Sequence, residues 1–230
     1  MNTASSIISV KNLLKSYKSG DSELVVLKNL ELSVPRGQFI SIIGRSGSGK
    51  STLLYQLGLL DHPTSGSIEI DGLVVDDLDS DKRTKLRLHA LGYVFQDYAV
   101  LPSLTAIENV MVPLFMQGIE KNVAYEKARE ALVKVGLGEK INNTPSKLSG
   151  GEQQRVAIAR AIAHSPKIIF ADEPTANLDT ETSRSVLDVF KDLHKRGQTI
   201  IMVTHEEEYA KMADRIIHLK DGSVVSDTMN

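Results

Sequence analysis

The sequence predicts an α/β fold: a mainly parallel sheet with helices on both faces and a helical segment inserted into it. Three observations carry this expectation. An apolar run with little alternation, residues 39–43, reads as a strand buried on both faces. Strand-like and helix-like segments alternate through the last third of the chain, the order that builds parallel sheets. Between about residues 97 and 165 the strand signals give way to helical spacing.

The elements follow in order. Residues 24–27 and 30–34 are β-rich and are broken by Pro35, Arg36 and Gly37. The run 39–43 ends at Gly44, and a helix is expected over about 50–57. A hairpin-like piece, 66–72, is bounded by glycines. Asp79 or Ser80 can cap the next helix, whose apolar positions are Leu86 and Leu88. Helical spacing covers 105–115 and 122–135; Pro113 should kink the first, and Gly136 and Gly138 punctuate the exit of the second. A third helix, 151–164, sets Val156, Ala159, Ile162 and Ala163 on one face. Then come strand 167–171, helix 181–195, strand 199–204, a short helix near 206–212, and strand 216–219 before a turn at Asp221 and Gly222. The acidic run Glu206, Glu207, Glu208 reads as a helix cap that offsets the dipole. With no internal repeat or low-complexity tract, one cassette over 1–230 is expected.

Composition bounds the function. At 41 % hydrophobic and 24 % charged residues, the chain matches a soluble globular average, which excludes disorder throughout. Lys and Arg number 27 against 29 Asp and Glu, a net charge of −2, which argues against a strongly basic nucleic-acid binder. The absence of Cys rules out disulfides, thiolate metal sites and a thiol nucleophile. The N-terminal run lacks a basic stretch followed by a long apolar core, so no secretory signal is expected. No stretch approaches the ~20 apolar residues that span a bilayer, so membrane work would need another protein.

Three motifs carry chemistry. Gly44, Arg45, Ser46, Gly47, Ser48, Gly49, Lys50, Ser51 and Thr52 match G-x-x-x-x-G-K-[ST] between an apolar strand and a helix. The glycines let backbone N–H groups turn inward around a phosphate, Lys50 reaches the β- and γ-phosphates, and the Ser51 hydroxyl can ligate Mg²⁺. The helix N-terminus adds partial positive charge. A bare glycine-rich turn is the alternative. Second, an apolar strand delivers Asp172 and Glu173 at its C-terminal end, where α/β folds bind ligands. Asp172 could hold Mg²⁺ through water opposite Ser51, and Glu173 could polarise an attacking water. Alone, this pair also fits a solvated turn. Third, in Leu148-Ser149-Gly150-Gly151-Glu152-Gln153-Gln154, Ser149 can cap a helix whose N-terminus faces outward, with Gly150 and Gly151 keeping side chains away from it. An ordinary cap with flexible glycines is the bland reading. Two anion-binding helix ends in one chain suggest a nucleotide shared between two copies.

Together these motifs resemble the nucleotide-binding domain of the ATP-binding cassette (ABC) ATPases over nearly the whole chain. Gln96 resembles the Q-loop glutamine, Asn177-Leu178-Asp179 the D-loop, His205 the switch histidine, and Tyr17 the A-loop aromatic that stacks on adenine. A plain strand-end histidine and a plain strand aromatic are the alternatives for the last two. The other histidines, 62, 89, 164, 194 and 218, show no ligand spacing. The resemblance implies a P-loop NTPase core of mainly parallel sheet with an antiparallel β subdomain over 1–96 and 166–230, and a helical subdomain carrying the signature over 97–165. It implies ATP and Mg²⁺ as cofactors, with Ser51, Gln96 and Asp172 toward the metal. It assigns Lys50, Gln96, Glu173 and His205 to catalysis, and Ser149, Gly150, Gly151 and Asp179 to nucleotide binding alongside Tyr17 and the loop 44–52. Two copies would bind two ATP head to tail, with Ser149 and Gly151 of one touching the γ-phosphate held by Lys50 of the other.

The segment 95–118 bears on the branch. Val100, Leu101, Leu104, Ile107, Val110, Met111, Leu114, Phe115 and Met116 exceed one helix face. A helical core explains most of them, and the remainder could form a groove that receives a permease helix. The run LPSLTAIENVMVPL, with LGLLDHPTSGSIEIDG and ADEPTANLD, is similar to the lipoprotein-releasing and macrolide-export ATPases. That branch implies an integral-membrane permease partner, no nucleic acid, and a place at the cytoplasmic face of the inner (cell) membrane. A mechanically signalling ATPase of the same branch, as in cell-division or peptide-sensing complexes, remains the alternative. Ala176 and Glu206 depart from the common Gly and Asp of the family without removing a reacting group. A chromosome- or repair-type relative would need a long coiled coil between Lys50 and Asp172, and no sustained heptads appear there.

Overall fold

The computed structural model describes residues 6–20 and 22–230; residues 1–5, part of the N-terminal run weighed above as a signal, lie outside them. The chain divides into two compact units, residues 1–84 with 196–230, and residues 85–195.

The first unit holds two sets of strands. An antiparallel sheet runs in the order β2 (Ser22–Pro35), β1 (Ser6–Ser19), β4 (Ser65–Ile70), β5 (Leu73–Val74). The two β-rich pieces expected at 24–34 are one strand, and Leu30, Leu32 and Val34 alternate inward along it. Asp71 and Gly72, both at positive φ, make the two-residue turn between β4 and β5. The second set is β9 (Arg215–Lys220), β3 (Phe39–Ile43) and β8 (Thr199–Val203), mutually parallel, with Ile42 opposite both Val203 and Ile217. Every residue of β3 and β8 is buried, which is why neither run alternates. Helix α1 (Lys50–Leu57) follows β3 through the loop 44–49. Helix α2 (Ser80–Ala90) starts on Asp79, whose Oδ1 accepts the Lys82 amide at 2.8 Å.

The last strand, β10 (Ser223–Met229), is absent from the sequence reading. It pairs antiparallel with β9 and is largely exposed, so it carries no apolar alternation. Its anchor is a cross-strand ion pair: Arg215 donates from Nε and Nη2 to the two carboxylate oxygens of Asp227 at 2.6 and 2.5 Å.

In the second unit, β6 (Leu91–Val94) and the fully buried β7 (Ile168–Asp172) pair in parallel. Four helices accompany them: α3 (Ala106–Met116), α4 (Lys121–Lys134), α5 (Gly150–Ile162) and α6 (Thr180–Lys195). Thr105 and Glu108 form a capping box at the start of α3. Asn109 is fully buried and its amide donates to the carbonyls of Leu101, Leu104 and Thr105, which ties down the loop before α3. Pro113 lies within the continuous run of α3. Ile107, Val110, Met111 and Leu114 are core, whereas Leu101, Phe115 and Met116 are exposed. Among the described residues, no helix is long and apolar enough to cross a membrane.

Several carboxylates give these units an acid limb, Asp227 and Glu152 among them. The Arg215 guanidinium holds the Asp227 carboxyl below its usual range, and the Lys140 ammonium does the same for Glu152. A carboxyl lowered in the folded state contributes stability above its unfolded pKa, and that stability is lost as pH falls through the folded value. The melting temperature should therefore drop on acidification below the ordinary carboxylate range, and Asp227→Asn should make that slope shallower. Thermal melts across acid pH check this; an identical slope in the variant counts against the pair.

Candidate functional site

The first unit builds an anion cradle. Loop 44–49 carries the chain from β3 into α1. A Cβ on Gly44 would lie 2.2 Å from the Leu219 carbonyl oxygen and 2.7 Å from Ser48 Oγ, so only glycine fits there. Gly49 takes the N-cap of α1 at φ 99 with no side-chain cap, and no acidic residue stands in the first turn. The first N–H groups of α1 are thus presented to the loop rather than to a capping side chain. Lys50 is buried and folded back, its Nζ donating to the carbonyls of Gly44 at 2.9 Å and Arg45 at 3.2 Å. The Ser48 amide closes the turn on the Arg45 carbonyl at 3.1 Å. Ser48 Oγ is buried with no hydrogen-bond partner among the described residues. A buried orphan hydroxyl, an uncapped helix start and a held ammonium are what a phosphate would satisfy. Arg45, Ser46 and Gly47 are exposed, and Ser51 and Thr52 are half-buried in the first turn of α1.

Beside the loop lies a cavity of about 780 Å³, bounded by residues 44–48 on one side and by His205, Glu207, His218 and Lys220 on the other. His205 is exposed just past β8, with Nε2 3.4 Å from Glu206 Oε1. The four-residue helix α7 (Glu207–Ala210) follows. Glu206 occupies its N-cap position without a side-chain cap, while Glu207 and Glu208 stand in the first turn, where the acidic run was expected to offset the dipole. The Thr204 hydroxyl accepts the Glu206 amide instead, at 3.1 Å. Tyr17 lies on β1, 42 % exposed. Its hydroxyl donates to Asp61 Oδ2 at 2.9 Å, just beyond the end of α1. Burial and the Asp61 carboxylate push the Tyr17 hydroxyl above its usual pKa.

The second unit gathers the remaining residues. Asp172, buried at the end of β7, precedes Glu173, which sits at φ 44. That is left-handed backbone, rare and costly for a non-glycine residue. Gln154, buried on α5, donates to the Pro174 carbonyl at 2.7 Å and to that of Phe95 at 3.4 Å. One amide thus holds both the turn after Glu173 and the strand end before Gln96. Gln96 is exposed, and its carbonyl accepts from Asn177 Nδ2 at 3.2 Å. Arg160 holds the carbonyls of Tyr98 and Ala99, two consecutive residues at positive φ.

Ser149 caps α5 in a reciprocal box with Glu152, which also pairs with Lys140. A Cβ on Gly150 would lie 2.9 Å from the Tyr98 hydroxyl, and one on Gly151 would lie 2.1 Å from Thr182 Cγ2. Both glycines are therefore close-packing positions, beyond leaving the helix end open. Asp179 is itself a helix cap: its carboxylate accepts the Thr182 amide at 2.9 Å and the Thr182 hydroxyl at 2.7 Å. These bonds hold its carboxyl below the usual range.

The structure places Tyr17, loop 44–52 and His205 in the first unit, where residues 44–48 and His205 line one cavity. It brings Gln96, 149–151, Asp172, Glu173 and Asp179 into the second. Sequence reasoning missed Asp61, Gln154 and Arg160. The only local signal for Gln154 was a second glutamine at the end of a glycine-rich cap; the other two act through contacts distant in sequence.

A phosphate cradle at the end of a buried parallel strand, with a second capped helix start in the same chain, defines a P-loop ATPase cassette. The chain belongs to the ABC transporter family, whose pattern matches residues 27–176. It is 47 % identical over 218 residues to the lipoprotein-releasing system ATP-binding protein LolD of Aquifex aeolicus, covering 95 % of this chain and 94 % of that one. It is 46 % identical over 222 residues to the macrolide export ATP-binding/permease protein MacB of Aggregatibacter actinomycetemcomitans, covering 96 % of this chain but 34 % of that protein. The chain therefore spans about a third of the MacB relative. Among solved structures it matches the ATP-binding cassette MJ0796, a dimeric post-hydrolysis state bound to ADP and Pi, with a TM-score of 0.89 and 43 % identity, covering 96 % of this chain and 98 % of that one.

Proposed function

We propose that the chain is the ATP-hydrolysing subunit of a membrane transport complex of the lipoprotein-release or drug- and peptide-export type. Two copies close head to tail around two ATP molecules and act on a separate integral-membrane permease. The observation that carries this reading is the pair of helix starts at Gly49 and Ser149: one uncapped over a buried lysine, the other capped yet exposed. A phosphate held at the first would meet the second from another copy.

In this reading, loop 44–52 cradles the phosphates, Lys50 meets the β- and γ-oxygens, and Tyr17 stacks on adenine. Ser149, Gly150 and Gly151 of the second copy complete the γ-phosphate site, next to Asp179. Glu173 takes a proton from the attacking water, which His205 and Gln96 help to position. Ser51, Gln96 and Asp172 supply hydroxyl, amide and carboxylate oxygens, the hard donors that suit Mg²⁺, which when bound would neutralise phosphate charge. The exposed Leu101, Phe115 and Met116 support docking of a permease helix. The LolD relative, a lipoprotein-releasing system ATP-binding protein matched over nearly its full length, supports lipoprotein release; a place at the cytoplasmic face of the inner membrane follows from acting on a membrane permease.

Ser149→Arg tests the shared site. The bulky cation should abolish ATP-dependent dimerisation in light scattering, while the nucleotide affinity of the monomer stays close to wild type. Ser149→Ala is the control for losing the hydroxyl and its cap without added bulk or charge, at about 1 kcal/mol of stability. A large fall in monomer affinity in Ser149→Arg would place Ser149 in the nucleotide site of its own copy and count against the head-to-tail pair.

A further inference from the structure

Asp61, just beyond α1, gathers donors from three segments of the first unit. Its Oδ1 accepts from Lys15 Nζ at 3.0 Å and from the His62 amide at 2.7 Å. Its Oδ2 accepts the Tyr17 hydroxyl at 2.9 Å and Gln56 Nε2 at 3.0 Å, and lies 2.8 Å from Lys15 Nζ. Lys15 is buried, donates further to the His62 carbonyl at 2.7 Å, and stands 4.6 Å from the centroid of the Tyr17 ring. The ring is therefore fixed at two points. An immobilised ammonium lies over one face, and the hydroxyl is tethered to a carboxylate that the same ammonium neutralises. The ring still keeps 42 % of its surface exposed.

We infer that Asp61 and Lys15 are positioning residues that hold the Tyr17 ring ready as a stacking platform for a nucleobase. This rests on the proposed role of Tyr17. With one face occupied by Lys15, the base stacks on the other. A ring ordered before binding does not lose its rotamer freedom on binding, an advantage of about three- to tenfold in affinity.

The test compares ATP with inorganic tripolyphosphate, which fills the phosphate cradle but has no base, by calorimetry on the full chain. Asp61→Asn removes the carboxylate charge, and Tyr17→Phe removes the tether while keeping both ring and Asp61. Each should weaken ATP binding about three- to tenfold and leave tripolyphosphate binding unchanged. Tyr17→Ala should give a larger loss confined to ATP. Tyr17→Phe carries the test if Asp61→Asn does not fold. If Tyr17→Ala leaves the ratio of the two affinities at its wild-type value, Tyr17 is not the platform and both readings fall. If Tyr17→Ala shifts the ratio and neither Tyr17→Phe nor Asp61→Asn does, the positioning role is overturned and the platform stands. Equal losses for both ligands would mark a merely structural hub and also overturn the positioning role.

Discussion

Glu173→Gln is expected to cut ATP hydrolysis about 10²–10⁴-fold, the range for losing a general base, with nucleotide binding retained. The change removes the basic oxygen and keeps the size, so the turn that Gln154 holds through the Pro174 carbonyl is undisturbed. Without hydrolysis, the ATP-bound pair should accumulate, because the γ-phosphate that favours the closed state is no longer removed. Phosphate release, nucleotide binding and light scattering read the three effects. Turnover at the wild-type rate would remove Glu173 from the role. Glu173→Gly separates the chemistry from the backbone. Glu173 sits at φ 44, which glycine adopts without strain. This variant should also lose hydrolysis but melt higher, by about 1 kcal/mol of stability. A residue that destabilises the fold where it stands is accounted for by function more readily than by packing. The trapped Glu173→Gln pair is also the form to purify from detergent-solubilised membranes. A co-purifying permease would support the transport role, and ribosomes or repair factors would overturn it.

Legibility followed the range of the interactions. Strands β3, β7 and β8 were readable because burial on both faces leaves an unbroken apolar run. The bounds of α1 were readable because the glycine loop marks where the strand stops and the helix begins. The Ser149 cap was readable because a capping box is written within four residues. By contrast, β10 is held by its ladder and by Asp227 meeting Arg215, neither of which leaves a hydrophobic pattern. β1 went unread because its register shifts break period-two alternation. The acidic run at 206–208 was legible in part: Glu207 and Glu208 stand in the first turn of α7, where acids offset the dipole, while the bond to the Glu206 amide comes from Thr204. Asp61 escaped because its partners Lys15 and Tyr17 lie on a strand more than forty residues upstream.

Gly151 shows how a position can serve packing and function at once. On the sequence it is a residue that keeps a helix start clear. In the structure its missing Cβ is the space that Thr182 Cγ2 fills, so a Cβ there would lie 2.1 Å from that methyl. Thr182 cannot simply rotate away, because its hydroxyl is held by Asp179 at 2.7 Å, the bond that helps cap α6. Gly151→Ala must therefore either part α5 from α6 or break that bond. The expected cost is about 1–3 kcal/mol, the usual range for overpacking, read as a lower melting temperature. Adding Thr182→Ser removes the clashing methyl and keeps a hydroxyl for Asp179, so the double variant should recover most of that stability. A melting temperature for Gly151→Ala equal to wild type would refute the packing argument outright. The ATPase rate of the double variant then separates the two roles. If rate and stability return together, glycine is required to let α5 meet α6. If stability returns and ATP-dependent pairing does not, the added methyl itself obstructs the partner's phosphate, because the start of α5 must stay bare for a charge that arrives from another copy.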